Sequence, residues 1–329
     1  MRLDKLGIIC PMHPSNIDQK EDWAKVVAEA SPETKMIFAY DIDDLMSQTD
    51  DVDALFTMPI LDPEGNAKLV KFCLGAKSLK WVHCLIAGVD SFIHTEIGKL
   101  PIVITSTKGI QHYPMSDTVI AFVYSWLRRF PELMAYQLRH EWNGTARLRA
   151  DESINKTIGF VGYGEIGAPI AKKFKALGFH VLAAKRTPVK DDVLDECYTM
   201  DQIKEMLPKC DFVVLICPLT DQTYHLINDE TLACMKKNAF LINISRGAVV
   251  DDEALVKALK NKVIAGAGLD IFVKEPLTPD NPYWDLDNVI ISHHISPMTP
   301  YINERTRGVG LEQIKRWVND EPMKYIAER

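Results

Sequence analysis

The sequence predicts an α/β protein made of two parallel-sheet units. Short apolar, β-branched runs alternate with longer helical stretches from end to end. Such alternation gives a parallel sheet covered on both faces. The alternation comes in two series, separated by a long apolar helix and a polar stretch without periodicity. The second series opens on a strand that runs straight into spaced glycines and then a helix.

In the first series, "LGIIC" (6–10), "MIFAY" (36–40), "ALFTM" (54–58), "KWVHCL" (80–85) and "PIVITS" (101–106) read as buried strands. Helical segments such as 21–30 and 64–74 lie between them. A long helix is expected over 115–130, where Val119, Val123, Trp126, Leu127 and Phe130 form one apolar face. The polar stretch 143–156 reads as a surface connection. In the second series the strands are "TIGFVG" (157–162), "HVLAA" (180–184), "FVVLIC" (212–217), "AFLINIS" (239–245), "VIAGAGLDIF" (263–272) and "NVIISHH" (288–294). A helix over 251–261 is opened by Asp-Asp-Glu, which suits a helix N-terminus.

Composition narrows the function classes. The 329 residues are 47% hydrophobic and 25% charged, ordinary for a globular protein of two domains. A formal net charge of −7 argues against nucleic acid and anionic membrane as partners, since both call for a basic patch. The seven cysteines, Cys10, Cys73, Cys84, Cys197, Cys210, Cys217 and Cys234, form no CxxC pair. Buried thiols in a reducing compartment are expected, with neither disulfide nor metal site. The N-terminal "MRLDKLGIICPMHPSN" lacks a signal-peptide pattern, and no run approaches the ~18 apolar residues of a membrane span. The expected location is the cytoplasm.

The glycine turn is Gly162-Tyr163-Gly164-Glu165-Ile166-Gly167. Its first glycine permits a tight turn, the second lets a pyrophosphate approach the backbone, and the third lets the helix pack close to the strand. The helix N-terminus offers N–H groups and a positive dipole end to phosphates. The turn by itself does not separate dehydrogenases from other nucleotide binders.

Three later residues carry chemistry. "INISRGAVVD" sets Arg246 at the end of one strand, "GLDIFVKEP" sets Glu275 past the next, and "ISHHISP" sets His293 and His294 past the last. Ligands bind at that edge of a parallel sheet. Arginine can hold a carboxylate with two parallel hydrogen bonds, or pair a neighbouring surface acid. A histidine held by a carboxylate keeps one tautomer and can serve as general acid–base. Taken singly, Glu275 could be a loop acid before proline and His294 a satisfied core histidine. Convergence beside a glycine turn favours the functional reading.

The set "GYGEIG", "INISRG", "GLDIFVKEP" and "SHHIS" resembles the D-isomer-specific 2-hydroxyacid dehydrogenase family, over nearly the whole chain. The resemblance implies two Rossmann-like parallel-sheet domains: a substrate (catalytic) domain over 1–107, completed by the C-terminal tail 297–329, and a dinucleotide-binding domain over 108–296. It implies hydride transfer between a nicotinamide and a small 2-oxo or 2-hydroxy acid. His294 would be the acid–base, Glu275 its partner and Arg246 the carboxylate holder. The family usually has proline where this chain has His293. Neighbours in an extended segment point opposite ways, and the register of "IS" favours His294, with His293 as the alternative. "CLIAGVDSF" resembles the family's carboxylate loop, where Ala87 and Gly88 would offer N–H groups, and Met58 would line the side-chain pocket. Cys217, Pro218 and Thr223 match the loop over the adenosine and nicotinamide ribose. Asp270 would hold the nicotinamide carboxamide, and Met115 would pack near its ring. Trp142 could reach the site, from a second subunit if the protein pairs. A homodimer is expected, both from the apolar excess of the 115–130 helix and from the resemblance.

Two other readings stay open: a formate- or phosphite-type dehydrogenase, and a non-catalytic nucleotide-sensing regulator on the same fold. Formate enzymes of the family usually carry an amide where this chain has Glu275. The cofactor expectation comes from the stretch after "HVLAA". There Lys185, Arg186 and Thr187 stand where NAD enzymes place an acid on the ribose 2′-hydroxyl, and the first acid is Asp191. NADP(H) is therefore expected, with NAD(H) as the possible alternative.

Overall fold

The computed structural model describes residues 1–10, 19–60, 62–142 and 149–327. The chain divides into two compact units: Met1–Ile110 with Pro300–Arg329, and Gln111–Thr299.

The first unit is a parallel sheet of five strands: β1 (Lys5–Ile9), β2 (Lys35–Ala39), β3 (Ala54–Thr57), β4 (Trp81–Cys84) and β5 (Val103–Ser106), in the order β2-β1-β3-β4-β5. Alternate residues enter opposite layers, as the strand period requires. Ile9, Ile37, Leu55, Val82 and Ile104 pack on one face; Leu6, Ile8, Phe38, Phe56 and Trp81 pack on the other. The second layer is closed by the C-terminal helix Ile302–Val318. Trp317 stacks on Trp81 with centroids 5.2 Å apart. Gly310 lets that helix approach, because a Cβ there would come within 2.7 Å of the Trp23 ring. The chain then reaches β5, where Ala327 N–H donates to Ile104 O at 2.8 Å.

The second unit is a parallel sheet of seven strands: β6 (Thr157–Val161), β7 (His180–Ala184), β8 (Glu196–Tyr198), β9 (Phe212–Leu215), β10 (Phe240–Asn243), β11 (Gly266–Leu269) and β12 (Val289–Ile291). Their order is β12-β11-β10-β9-β6-β7-β8. Again both faces are buried: Val161, Leu182, Val213 and Leu241 on one side, Phe160, Val181, Val214 and Ile242 on the other. The strand order reverses beside β6, which opens a crevice at the C-terminal strand ends.

The structure corrects the sequence expectations in three places. The long helix ends at Leu127; Arg129 turns the chain at φ 61°, and a second helix follows over Phe130–Leu138. Phe130 is therefore exposed rather than part of the apolar face, whereas Val119, Val123 and Leu127 are buried. Strand β8 has no counterpart among the expected strands, because an edge strand of three mixed residues leaves no periodic signal. The last strand stops at Ile291, so both histidines lie on a loop. Of the polar stretch 143–156, residues 149–156 form no helix or strand; 143–148, and 11–16 of the N-terminal stretch, lie outside the described residues.

All the cysteines are free thiols, and Cys10, Cys73, Cys84, Cys210 and Cys217 are buried. Burial pushes the Cys73 and Cys210 thiols up to about 12 and Cys217 up to about 11. Among the described residues no helix is long and apolar enough to cross a membrane, and no group of His, Cys, Asp and Glu could hold a metal ion.

Candidate active site

The crevice beside β6 begins at the glycine turn. Gly162 has φ 105°, and a Cβ there would come within 2.8 Å of the Ile216 and Cys217 backbone. Only glycine satisfies both conditions. A Cβ on Gly167 would meet Gly162 O at 2.6 Å, whereas Gly164 has nothing within 4 Å on its open side. The helix Gly167–Ala176 starts without a side-chain cap. An open glycine beside an uncapped helix N-terminus fits the pyrophosphate of a dinucleotide. Glu165 and Ile166 complete the turn, and Met115 packs in the same apolar cluster as Tyr163.

Lys185, Arg186 and Thr187 follow β7; Lys185 is half-buried and the other two are exposed. The Lys185 ammonium lies 5.9 Å from the Tyr163 ring centroid. The next acid, Asp191, folds back onto the glycine turn and accepts the Tyr163 hydroxyl at 2.7 Å. Nothing in the sequence pairs those two positions. Cys217 and Pro218 follow β9. The Thr223 hydroxyl donates to Pro218 O at 2.7 Å and accepts from Thr220 N–H at 2.7 Å, which closes that loop.

Arg246, Glu275 and His294 follow the adjacent strands β10, β11 and β12. Arg246 is extended and exposed, with Nη1 donating to Ser245 O at 2.8 Å. Gly247 brings it against the end of β11, since a Cβ there would come within 2.1 Å of the Phe272 carbonyl carbon. Phe272 N–H in turn donates to Glu275 Oε1 at 2.9 Å. The other oxygen, Oε2, accepts from His294 Nδ1 at 2.7 Å. One carboxylate is thus anchored by backbone and anchors the ring. This makes Nδ1 the protonated nitrogen facing Glu275 and leaves Nε2 without a partner among the described residues. The imidazole is about half exposed.

His293 does not share this arrangement; it is exposed and sits edge-on to Trp284 at 6.0 Å. Backbone geometry separates the two rings, since His294 has φ 54° and its N–H donates to Asp270 O at 2.8 Å. Asp270 is fully buried, and its carboxylate accepts from Ser292 Oγ, Ile295 N–H and Ser296 N–H. Its first task in this structure is to fix the loop that carries His294. A cavity of about 400 Å³ adjoins the pair, walled by Phe272, Leu277, Trp284 and His293.

In the first unit, Met58 follows β3 and is 38% exposed. The loop after β4 is held by Thr107 N–H donating to Ile86 O at 3.2 Å and by Cys84 Sγ donating to Gly88 O at 3.3 Å. The N–H groups of Ala87 and Gly88 have no acceptor among the described residues. Trp142, by contrast, is 98% exposed.

A family model for the D-isomer specific 2-hydroxyacid dehydrogenase NAD binding domain matches residues 120–296. The glyoxylate reductase of Thermococcus onnurineus is 38% identical over 264 residues, 78% of this chain and 76% of that protein. The chain belongs to the D-isomer specific 2-hydroxyacid dehydrogenase family. Another relative, the glyoxylate/hydroxypyruvate reductase B of Pectobacterium carotovorum, is 35% identical over 69% of this chain and 72% of its own. Among solved structures, a D-isomer specific 2-hydroxyacid dehydrogenase from Xanthobacter autotrophicus Py2, in complex with NADPH and MES, superposes with a TM-score of 0.81. It is 26% identical and covers 99% of this chain and 98% of its own. The present chain is thus an enzyme of the D-2-hydroxyacid dehydrogenase class, with two parallel-sheet α/β units and a nicotinamide nucleotide as its cofactor.

Proposed function

We propose that this enzyme reduces a small 2-oxo acid to the D-2-hydroxy acid, with NADPH preferred over NADH. The observation that carries the reading is the His294–Glu275 hydrogen bond, set past the ends of adjacent strands next to the Arg246 turn. When bound, the nicotinamide supplies the hydride exchanged with C2 of the acid. In its protonated form the His294 ring keeps Nδ1–H on Glu275 and carries a second proton on Nε2; it donates that proton to the carbonyl oxygen and is left as the neutral Nδ1–H tautomer. Glu275 holds the ring in the tautomer and orientation that this donation needs, and offsets the charge of the imidazolium. Arg246 orients the substrate carboxylate with its two-pronged guanidinium.

In the first unit, the N–H groups of Ala87 and Gly88, which have no acceptor among the described residues, suit a carboxylate, and Met58 is assigned to the substrate's side chain. This makes 1–107 with 297–329 the substrate domain and 108–296 the dinucleotide domain. The turn residues Gly162 to Gly167 take the pyrophosphate, and Cys217, Pro218 and Thr223 border the adenosine and ribose. Met115 is assigned to the nicotinamide ring and Asp270 to its carboxamide. Lys185, Arg186 and Thr187 take the 2′-phosphate, with Arg186 the main contact because its planar fork matches phosphate. The NADPH bound to the Xanthobacter relative supports that preference.

A homodimer is part of the reading. The helix Phe130–Leu138 buries none of its residues, and Phe130, Met134, Leu138 and Trp142 are all exposed. The free thiols support a reducing, cytoplasmic setting.

The test is a coenzyme-oxidation assay with a panel of 2-oxo acids, formate and phosphite being run in the opposite direction. Turnover of a 2-oxo acid with a higher kcat/KM for NADPH than for NADH is the expected result. Preference for NADH, or a Lys185→Ala, Arg186→Ala double variant whose NADPH KM does not rise, would defeat the cofactor assignment. Nucleotide binding without any turnover would favour the regulator.

A further inference from the structure

Lys185, Arg186 and Thr187 stand on an exposed connection that is fastened at both ends. At its start, Lys185 N–H donates to Tyr198 O at 3.0 Å, on the edge strand. At its far end Asp191 is held three ways. Its Oδ2 accepts from the Tyr163 hydroxyl at 2.7 Å, its Oδ1 accepts from Val193 N–H at 2.9 Å, and its carbonyl accepts from Leu194 N–H at 3.0 Å. Tyr163 is 6% exposed and lies inside the glycine turn. A single side-chain bond therefore ties the pyrophosphate turn to the segment that carries the cations. The Tyr163 ring also lies near the Lys185 ammonium, at a separation within the range of cation–π attraction.

The charge states of the pair are settled by the contact. Donation from the Tyr163 hydroxyl holds the Asp191 carboxyl below its ordinary value. Burial, then the Asp191 hydrogen bond, pushes the Tyr163 phenol well above its own. Phenol and carboxylate thus coexist through the neutral range. An acid in this neighbourhood is what an NAD-type site uses on the ribose 2′-hydroxyl, and it would repel a 2′-phosphate. Here the nearest acid of the connection is engaged by the glycine turn.

We infer that the Tyr163–Asp191 bond is a clasp that sets nucleotide discrimination. It holds Lys185, Arg186 and Thr187 in the shape that takes a 2′-phosphate and keeps the Asp191 carboxylate turned onto Tyr163. The inference rests on the assignment of those three residues to NADP. In this discrimination the two side chains are positioning groups that act through the connection they fasten, while the Tyr163 backbone belongs to the pyrophosphate turn.

The experiment is nucleotide binding without substrate, read from NADPH and NADH fluorescence, on the full-length wild type, Tyr163→Phe and Asp191→Asn. Phenylalanine keeps the ring and its packing but removes the hydroxyl. Asparagine keeps an acceptor for the hydroxyl and removes the charge. The readout is the ratio of the two Kd values, which a general loss of stability does not move. Tyr163→Phe is expected to weaken NADPH about tenfold, the scale of one hydrogen bond to a charged group, and to leave NADH within about twofold. Asp191→Asn is expected to keep the wild-type ratio. Equal weakening of both nucleotides by Tyr163→Phe, or no change in the ratio, overturns the clasp. So does an Asp191→Asn ratio that falls as far as that of Tyr163→Phe. A wild type that prefers NADH refutes the NADP assignment and, with it, the clasp; a wild type that prefers NADPH with an unchanged ratio in Tyr163→Phe refutes the clasp alone.

Discussion

His83 makes the stability of the first unit depend on pH in a calculable way. It is fully buried in β4, among Phe56 and Trp81. Trp81 Nε1–H donates to Thr105 Oγ1 at 2.8 Å, and Thr105 lies 2.8 Å from His83 Nδ1. On the other side, His83 Nε2 lies 3.1 Å from Thr107 Oγ1, which donates to Cys84 O at 3.1 Å. Only one proton arrangement uses every group once. The Thr105 hydroxyl donates to Nδ1, and Nε2–H donates to Thr107. The ring is therefore neutral, and burial lowers its pKa from 6.5 to about 3. Between those two values the unfolded chain binds a proton that the folded chain refuses, so stability falls as pH falls. The slope is ~1.4 kcal/mol per pH unit, which gives about 2 kcal/mol between pH 7 and pH 5. The assay is urea unfolding at both pH values, followed by tryptophan fluorescence, for wild type and His83→Gln. Glutamine offers one acceptor and one donor and does not titrate. Wild type should lose about 2 kcal/mol more than the variant over that interval. Identical pH dependence, or a His83 ring that titrates near 6.5 by NMR in the folded protein, would refute the reasoning.

Other outcomes follow from the proposed site. His294→Ala should lower turnover by about 10²–10⁴ while NADPH binding is largely retained, because the ring acts on substrate; turnover that survives in His294→Ala but is lost in His293→Ala would reverse the assignment. Arg246→Lys should lower kcat/KM for the best 2-oxo acid through both parameters, since lysine keeps the charge and loses the fork; an unchanged kcat/KM would remove Arg246 from the site. Sedimentation at micromolar concentration should show a species of two chains, and Leu138→Glu should shift it toward one, because a charge at an apolar contact is costly to desolvate. A wild type with the mass of a single chain would end the dimer reading.

Local signals in the sequence were enough to establish the class of fold, the glycine turn and the order of the three candidate residues along the chain. A buried strand is a run of apolar residues, and a phosphate turn is a spacing of glycines; both are legible within a dozen positions. The family resemblance added proposed roles that no periodicity carries, such as those of Ala87, Gly88 and Asp270. Contacts between distant parts of the chain were decided only in three dimensions. The resemblance implied that the C-terminal tail returns to the first unit, but the packing that holds the helix Ile302–Val318 there, Trp317 on Trp81 and Gly310 against Trp23, is encoded by no local pattern. That the His294 ring and not the His293 ring meets Glu275 is set by the folded loop, where His294 is left-handed and a buried Asp270 fixes the backbone that follows it. The helix break at Arg129 leaves little trace in the local sequence, because the apolar character continues across it. In the sequence Asp191 is only the first acid after the glycine turn, and the fold brings it back onto Tyr163. Hydrogen bonds between side chains reward proximity in space, which sequence distance does not measure, so pairings of this kind belong to the tertiary structure alone.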